Sequence, residues 1–398
     1  MRNINLFTWL LLASVWFQCG NTQPVLTEPP ARTTVKTSPL VGAAQLDVFL
    51  PKLKGKNVGL VVNHTALVGK THLADTLKAQ GITIKKVFAP EHGFRGAVPD
   101  GETIKDGFDT KSGLPVISLY GNNKKPTPEQ LADVDVLIFD IQDVGVRFYT
   151  FISTLHYVME AAAEQGKKVL VLDRPNPNGS YTDGPVLDPA LKSFVGIHPI
   201  PVVHGVTVGE LARMINGEGW LDKGVKCDLE VVPVKNWSHQ DPYSLSPKPS
   251  PNLPNDQAIR LYPSLCLFEG TVISVGRGTQ TPFLIVGNPL LKDLPFQFTP
   301  VAIPAMSNTP LHQNKLYYGL DLRQVKVEPR LDLKYLIDLY QRYPEKEKFF
   351  TSYFDKLAGT TALRQQITGG MTEEAIRKTW QKDLDTYRTI RQKYLMYP

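Results

Sequence analysis

Three cysteines in 398 residues are too few for a disulfide framework, and no Cys-x-x-Cys pair offers a metal knuckle. Beyond Cys19 near the start, Cys227 and Cys266 read as two buried thiols. The apolar run from Leu6 to Phe17 falls short of the roughly 20 residues needed to span a bilayer. The 44 basic and 38 acidic residues are spread along the chain without an arginine-rich block, so the formal charge of +6 is a weak surface bias. Nucleic acid is therefore not an expected partner. No period of solenoid type recurs. The phosphate-binding Gly-x-Gly-x-x-Gly is missing after the first apolar run, where the chain reads VVNHTALVGK, which argues against a dinucleotide cofactor. A metal site of His64, His92, His204 and an aspartate lacks a spacing such as His-Glu-x-x-His, and no Gly-x-Ser-x-Gly elbow marks a serine nucleophile. Neither a metal nor a cofactor is expected.

The first stretch, MRNINLFTWLLLASVWFQCG, has a basic start at Arg2, a short apolar run and then Cys19, the layout of an export signal over residues 1–19. Cys19 with Gly20 and Asn21 resembles the acylated cysteine of bacterial lipoproteins, whereas Phe17 and Gln18 depart from the small residues usual just before it. Simple cleavage of the signal is the alternative. Residues 20–44 are rich in Thr and Pro and lack an apolar period, as an extended tether would. The expectation is an exported protein of the cell envelope or periplasm, with a possible lipid anchor at Cys19.

After the tether, NVGLVVN (57–63), IKKVFAP (84–90), LPVISLYG (114–121), VDVLIFD (134–140), KKVLVLD (167–173) and IHPIPVVHG (197–205) alternate with the helical patterns HLADTLKAQG, YTFISTLHYVMEAAAEQG and TVGELARMINGEG. Such alternation predicts an α/β fold, a Rossmann-like, doubly wound, mostly parallel sheet over 45–254. The proline-rich KNWSHQDPYSLSPKPSPNLP marks a junction or a binding loop. FEGTVISVGRGTQTPFLIVG reads as a strand pair, LYYGLDLRQVKV as another strand, and DLKYLIDLYQRY and TEEAIRKTWQKDLDTYRTIRQKYL as helices. These form a smaller α+β domain over 255–398.

Ligands of an open doubly wound sheet bind outside the carboxyl ends of its strands. Those ends carry Asn63 and His64, then Glu91, His92 and Arg95, Tyr120, then Asp140, Asp143 and Arg147, then Asp173, Arg174 and Asn176, and His204. Any one of these has an ordinary structural use. Their repetition at six successive ends predicts a functional cleft. Two carboxylates facing one cleft can act as acid and base, or as acid and stabiliser of a developing cation, as breaking a glycosidic bond requires. Glu91 and Asp140 are the best placed pair. Pro90 and Gly93 fix the backbone at Glu91, and Phe88 and Phe94 are candidates to exclude water from it. A structural ion pair of Glu91 with Arg95 is the competing reading.

The blocks GLVVNHTALV, FAPEHGFRGAVPDGE, GLPVISLYGNNKKPTPEQL, DVLIFDIQDVGVRFYTFISTL, VLDRPNPNG, GPVLD, IPVVHGVTVGELA, PSPNLP, LYPSLCLFEGT and VGRGTQTPF resemble, in order, those of the NamZ-like exo-β-N-acetylmuramidase family. The resemblance runs from about Leu46 to the end. It implies a Rossmann-like domain joined to a smaller C-terminal domain, with the site in the cleft between them. The implied activity is an exo-acting glycoside hydrolase that releases terminal N-acetylmuramic acid from the non-reducing ends of peptidoglycan fragments. Glu91 is implied as the catalytic acid. Many members read Ser-Glu-Gly-Arg-Gly where this chain has Ser274, Val275, Gly276, Arg277 and Gly278, so a glutamate's role there is not carried over; Glu269 is retained.

The lactyl carboxylate of muramic acid calls for a bidentate arginine, with Arg95, Arg147, Arg174 and Arg277 as candidates, and its acetamido group calls for donors and an apolar wall such as Phe148 and Tyr149. The acetamido oxygen can itself attack the anomeric carbon, polarised by Asp140 or Asp143. Asn63, His64, His92, Asn176, His204, Asn252 and Glu269 complete the expected substrate contacts. The rivals are a non-catalytic carbohydrate receptor of the cell envelope, using the same cleft without Glu91, and a metal-dependent hydrolase on the same polymer.

Overall fold

The apolar runs alternate between two buried faces, which is why they read as continuous rather than striped. In strand β1 (Asn57–Val62), Val58, Leu60 and Val62 pack on one side with Ile138 and Leu170, while Val61 packs on the other with Leu137, Phe139 and Val171. The structure is a computed structural model that describes residues 37–95, 106–304 and 306–398; the expected signal, Cys19 and most of the tether lie outside them. Six further strands join β1: β2 (Thr83–Ala89), β3 (Gly107–Phe108), β4 (Pro115–Ser118), β5 (Val136–Asp140), β6 (Lys168–Leu172) and β7 (Asp228–Val232). Their spatial order is β7-β6-β5-β1-β2-β4-β3, every pair parallel except the short edge strand β3 against β4. Order reverses on either side of β1, so β1 and its neighbours β2 and β5 flank the switch point where such sheets hold ligands.

One face is covered by the helices Leu46–Leu53 and Leu73–Ala79, the other by α1 (Phe151–Glu164) and α2 (Val208–Gly217). Thr207 starts α2 with a full capping box, its hydroxyl accepting from Glu210 N and its own N–H donating to the Glu210 carboxylate.

Three expectations change. The run at 197–205 does not join the main sheet: Pro201–Val203 pairs antiparallel with Asp183–Val186, and the outer parallel position is taken by β7. Secondly, the folded unit begins at Ser38, ahead of the expected end of the tether. Leu40 exchanges backbone hydrogen bonds with Lys235, and Gly42 lies against the Val232 carbonyl, where an added Cβ would meet oxygen at 2.5 Å. Thirdly, the strand pair read at 268–287 is mostly irregular: Cys266–Gly270 is a 3₁₀ turn, Ser274 and Gly287 form a single antiparallel bridge, and Ile285–Asn288 makes its ladder with Tyr317–Asp321. That pair, with Phe296–Phe298, is the small antiparallel sheet of the C-terminal part, whose helices include α3 (Asp256–Leu265), α4 (Phe354–Ala358) and α5 (Gln381–Gln392), the last packed on the strand Asp183–Val186.

The chain's last residues return to the sheet. Tyr397 donates its hydroxyl at 2.5 Å to Asp173 Oδ2, a fully buried carboxylate that also accepts from Thr207 Oγ1 at 2.6 Å and Gly209 N at 2.8 Å. Burial pushes Asp173 up to about 6 against the pull of these donors. A carboxyl raised in the folded state contributes most below its ordinary value of 3.8, and that contribution is lost as pH rises through about 6. Tyr397→Phe withdraws a donor from the ionised form, so it should cost about 1.5–3 kcal/mol at pH 8 and less at pH 5 in denaturant titrations. An equal loss at both pH values would remove Asp173 as the acceptor that matters.

Candidate active site

Strand β2 stops at Ala89 because Pro90 has no N–H to continue the ladder. Gly93 N then donates to the Pro90 carbonyl at 3.0 Å, closing a turn in which His92 (φ 69°) and Gly93 (φ 77°) are both left-handed. For histidine that backbone costs on the order of 1 kcal/mol, a strain characteristic of functional loops. The turn brings Glu91 and His92 to the wall of a cavity of about 540 Å³, well within the range of small-ligand sites. Thr150, at the start of α1, donates its hydroxyl to Glu91 Oε2 at 2.8 Å.

The sheet side of the cavity is completed by Tyr120, Phe148, Tyr149 and Phe151, and the opposite side by Tyr262, Glu269, Arg277, Phe283, Tyr353 and Lys356 of the C-terminal part. The aromatics interlock edge to face, Tyr149 on Phe151 at 4.9 Å and Tyr262 on Phe283 at 4.8 Å. Arg277 lies 5.4 Å from the Phe283 ring and binds Glu269 Oε1 through Nε at 2.7 Å and a terminal nitrogen at 2.6 Å. Cys266, its thiol raised by burial, donates to the other Glu269 oxygen at 3.3 Å. The proline-rich segment forms a third wall through Ser250, Asn252 and Leu253. It is clamped by His64, whose Nε2 lies 2.7 Å from the Lys248 carbonyl, and by Tyr149, which donates to the Pro249 carbonyl at 2.9 Å. Burial lowers the His64 pKa, so the neutral ring donates from Nε2.

The expected site residues therefore divide. Glu91, His92, Tyr149, Asn252, Glu269 and Arg277 line the cavity. Asn63, Asp143, Asn176 and His204 do not; they shape the loops behind it. Asn63 Oδ1 accepts from Thr65 N and Oγ1, Asp143 Oδ2 accepts from Gly145 N at 2.7 Å, His204 Nδ1 accepts from Val206 N, and Asn176 donates to the Val206 carbonyl. Asp140, expected to act with Glu91, is fully buried and held bidentate by Arg174 at 2.5 and 2.9 Å, so neither residue faces the cavity. Arg95 binds Asp109 at 3.2 and 2.7 Å, with Asp75 at 3.5 Å. Phe94 packs on His72 and Phe88 lies in the sheet core; the cavity's apolar wall comes from other rings.

Arg147 is the largest departure. Its guanidinium is fully buried and donates to four carbonyls: Pro185 and Ile200 at 2.8 Å, Leu357 at 3.0 Å and Ala358 at 2.7 Å. Burial pushes its pKa down to about 9, which leaves it cationic at neutral pH. It ties α4 to the sheet rather than meeting a ligand. Thr150, Ser193, Phe194, Tyr353 and Lys356 were not singled out from the sequence. Thr150 lies inside a motif block, three residues after Arg147, where its signal was a hydroxyl opening a helix; Tyr353 and Lys356 carry no motif at all.

Among the described residues no group of three or more His, Cys, Asp or Glu is placed to hold a metal ion. An aromatic-walled cavity with two carboxylates, set at the carboxyl end of a Rossmann-like sheet, has the equipment to hydrolyse a glycosidic bond. The chain belongs to the exo-β-N-acetylmuramidase NamZ family: the N-terminal family model matches residues 58–257 and the C-terminal model residues 260–397. It is 41% identical over 383 residues to the peptidoglycan β-N-acetylmuramidase NamZ of Bacillus subtilis (strain 168), covering 88% of this chain and 90% of that protein. Two crystal structures of DUF1343 family proteins from Bacteroides fragilis NCTC 9343 share the fold. One has a TM-score of 0.85 at 44% identity, covering 91% of this chain and 99% of the other; the second has 0.77 at 31%, covering 90% and 99%.

Breaking the buried Asp140–Arg174 pair leaves an uncompensated charge, so Asp140→Asn should lower stability by about 3–5 kcal/mol while the turnover of the folded fraction is kept. A full loss of turnover in a variant with unchanged melting would return Asp140 to the catalytic group.

Proposed function

We infer that the protein is an exo-acting glycoside hydrolase that releases terminal N-acetylmuramic acid from the non-reducing ends of peptidoglycan fragments. The carrying observation is Glu91, presented by a strained turn at the end of β2 into an aromatic-walled cavity and fixed by Thr150 at 2.8 Å. A carboxyl group so placed can protonate the leaving glycosidic oxygen as the bond to the anomeric carbon breaks. The developing oxocarbenium charge needs a second partner. Because Asp140 and Asp143 do not line the cavity, Glu269 is the other carboxylate of the lining that can face it, with the substrate's own acetamido oxygen as the internal alternative. Two buried polar atoms of the wall, Ser193 Oγ and Asn252 Oδ1, have no hydrogen-bond partner among the described residues, and a bound sugar would satisfy them. The membership of the family supports catalysis over the non-catalytic receptor.

A general acid contributes about 10² to 10⁴ in rate. Glu91→Gln keeps the shape and loses the proton, so kcat on a muramic acid disaccharide should fall by that order. The defect should shrink on a nitrophenyl glycoside, whose leaving group needs less protonation. Equal defects on both substrates would point to a structural Glu91.

We further propose that the leader exports the protein and that Cys19 is acylated, which would place the enzyme at the cell envelope. A clickable fatty acid should then label the wild type and spare Cys19→Ala; an unlabelled wild type would leave a freely diffusing enzyme.

A further inference from the structure

The reading above requires the site to distinguish muramic acid from N-acetylglucosamine, and the two sugars differ by one lactyl ether that ends in a carboxylate. A cation in the cavity is the strongest partner for that carboxylate. The arginines that the sequence offers for this task are already engaged: Arg95 by Asp109, Arg174 by Asp140, Arg147 by four carbonyls and Arg277 by Glu269. Only Arg277 and Lys356 among the described lining residues carry a fixed positive charge. Lys356 is exposed and has no acidic partner among the described residues. The carboxylate next to it, Asp355, is held bidentate by Arg364 at 2.7 and 3.0 Å, and Lys124 lies over the Phe194 ring rather than in the lining.

The position of Lys356 is nonetheless fixed. It stands on α4, whose Phe354 and Leu357 are buried in the core. The helix ends at Gly359 (φ 73°), and Arg147 binds its last carbonyls; a Cβ at Gly359 would meet the Arg147 guanidinium at 2.3 Å. A buried cation at a helix C-terminus is favourably placed against the helix dipole, and here it comes from the sheet side of the cleft.

We propose that Lys356 is the specificity-determining residue that binds the lactyl carboxylate of muramic acid, with Arg147 as the positioning residue that holds α4 at the cavity. This rests on the muramidase reading. Lysine offers a mobile point charge rather than a fixed fork, which suits a carboxylate on a rotatable ether.

The test compares wild type, Lys356→Met and Lys356→Arg on nitrophenyl glycosides of N-acetylmuramic acid and N-acetylglucosamine, together with the methyl ester of the muramic glycoside. Lys356→Met should lose about ten- to a hundredfold in kcat/KM on the muramic glycoside, mostly through KM, and stay level on the glucosamine one. Lys356→Arg should recover most of the loss, and wild type on the ester should match Lys356→Met on the acid. An unchanged preference in Lys356→Met, or an equal loss on both sugars, would overturn the assignment. Calorimetric binding of free N-acetylmuramic acid separates this inference from the activity it rests on. Lysine-dependent binding without turnover would sink the hydrolase reading and keep Lys356; turnover with lysine-independent binding would do the reverse.

Discussion

The cleft depends on one buried cation. Arg147 leaves the loop after β5 and donates to carbonyls of two regions, the Asp183–Val203 hairpin region and the end of α4, which also meet through Asp188 N donating to the Gly359 carbonyl at 2.8 Å. Desolvating a guanidinium is costly, and a set of four carbonyls without a carboxylate returns less of that cost than an ion pair would. What the arrangement supplies is geometry. The C-terminal wall of the cavity, with Tyr353 and Lys356, is held at a set distance from Glu91 on the sheet side.

Around that tie, the polar residues at the strand ends form two tiers. The inner tier, Asn63, Asp140, Asp143, Asp173, Arg174, Asn176 and His204, is buried and satisfies loop backbone or pairs internally. The outer tier, Glu91, His92 and Tyr120, faces the cavity. The rigidity of the outer tier is a product of the inner one, because a group held by second partners keeps its position when substrate binds. The Pro-rich segment follows the same logic: His64 and Tyr149 hold its carbonyls so that Ser250 and Asn252 are presented as a wall.

Much of this was legible in the residues. Continuous apolar runs predict strands buried on both faces, and the alternation of Val58, Leu60 and Val62 against Val61 bears that out. Pro90 marked the end of a strand and Glu91 the beginning of a site, since a proline stop and a glycine-supported turn are local features. Partner choice was not legible, because it depends on contacts distant in sequence. Nothing near Asp140 announces that Arg174 will neutralise it, and nothing in the arginine spacing separates a ligand-binding Arg147 from one that caps a helix more than 200 residues later. The weak strand DLEVV lacks the apolar run of its neighbours because only its end is fully buried, and a lone lysine on a short helix, such as Lys356, forms no pattern.

The central claim is that a muramic acid residue sits in this cavity with its glycosidic oxygen at Glu91. A crystal structure of the Glu91→Gln variant soaked with a disaccharide bearing non-reducing N-acetylmuramic acid tests it most directly. The account predicts sugar density among the aromatic rings, the glycosidic oxygen within hydrogen-bond reach of residue 91 and the lactyl carboxylate turned toward the C-terminal wall. Ordered sugar elsewhere on the molecule, with this cavity holding only water, would contradict it.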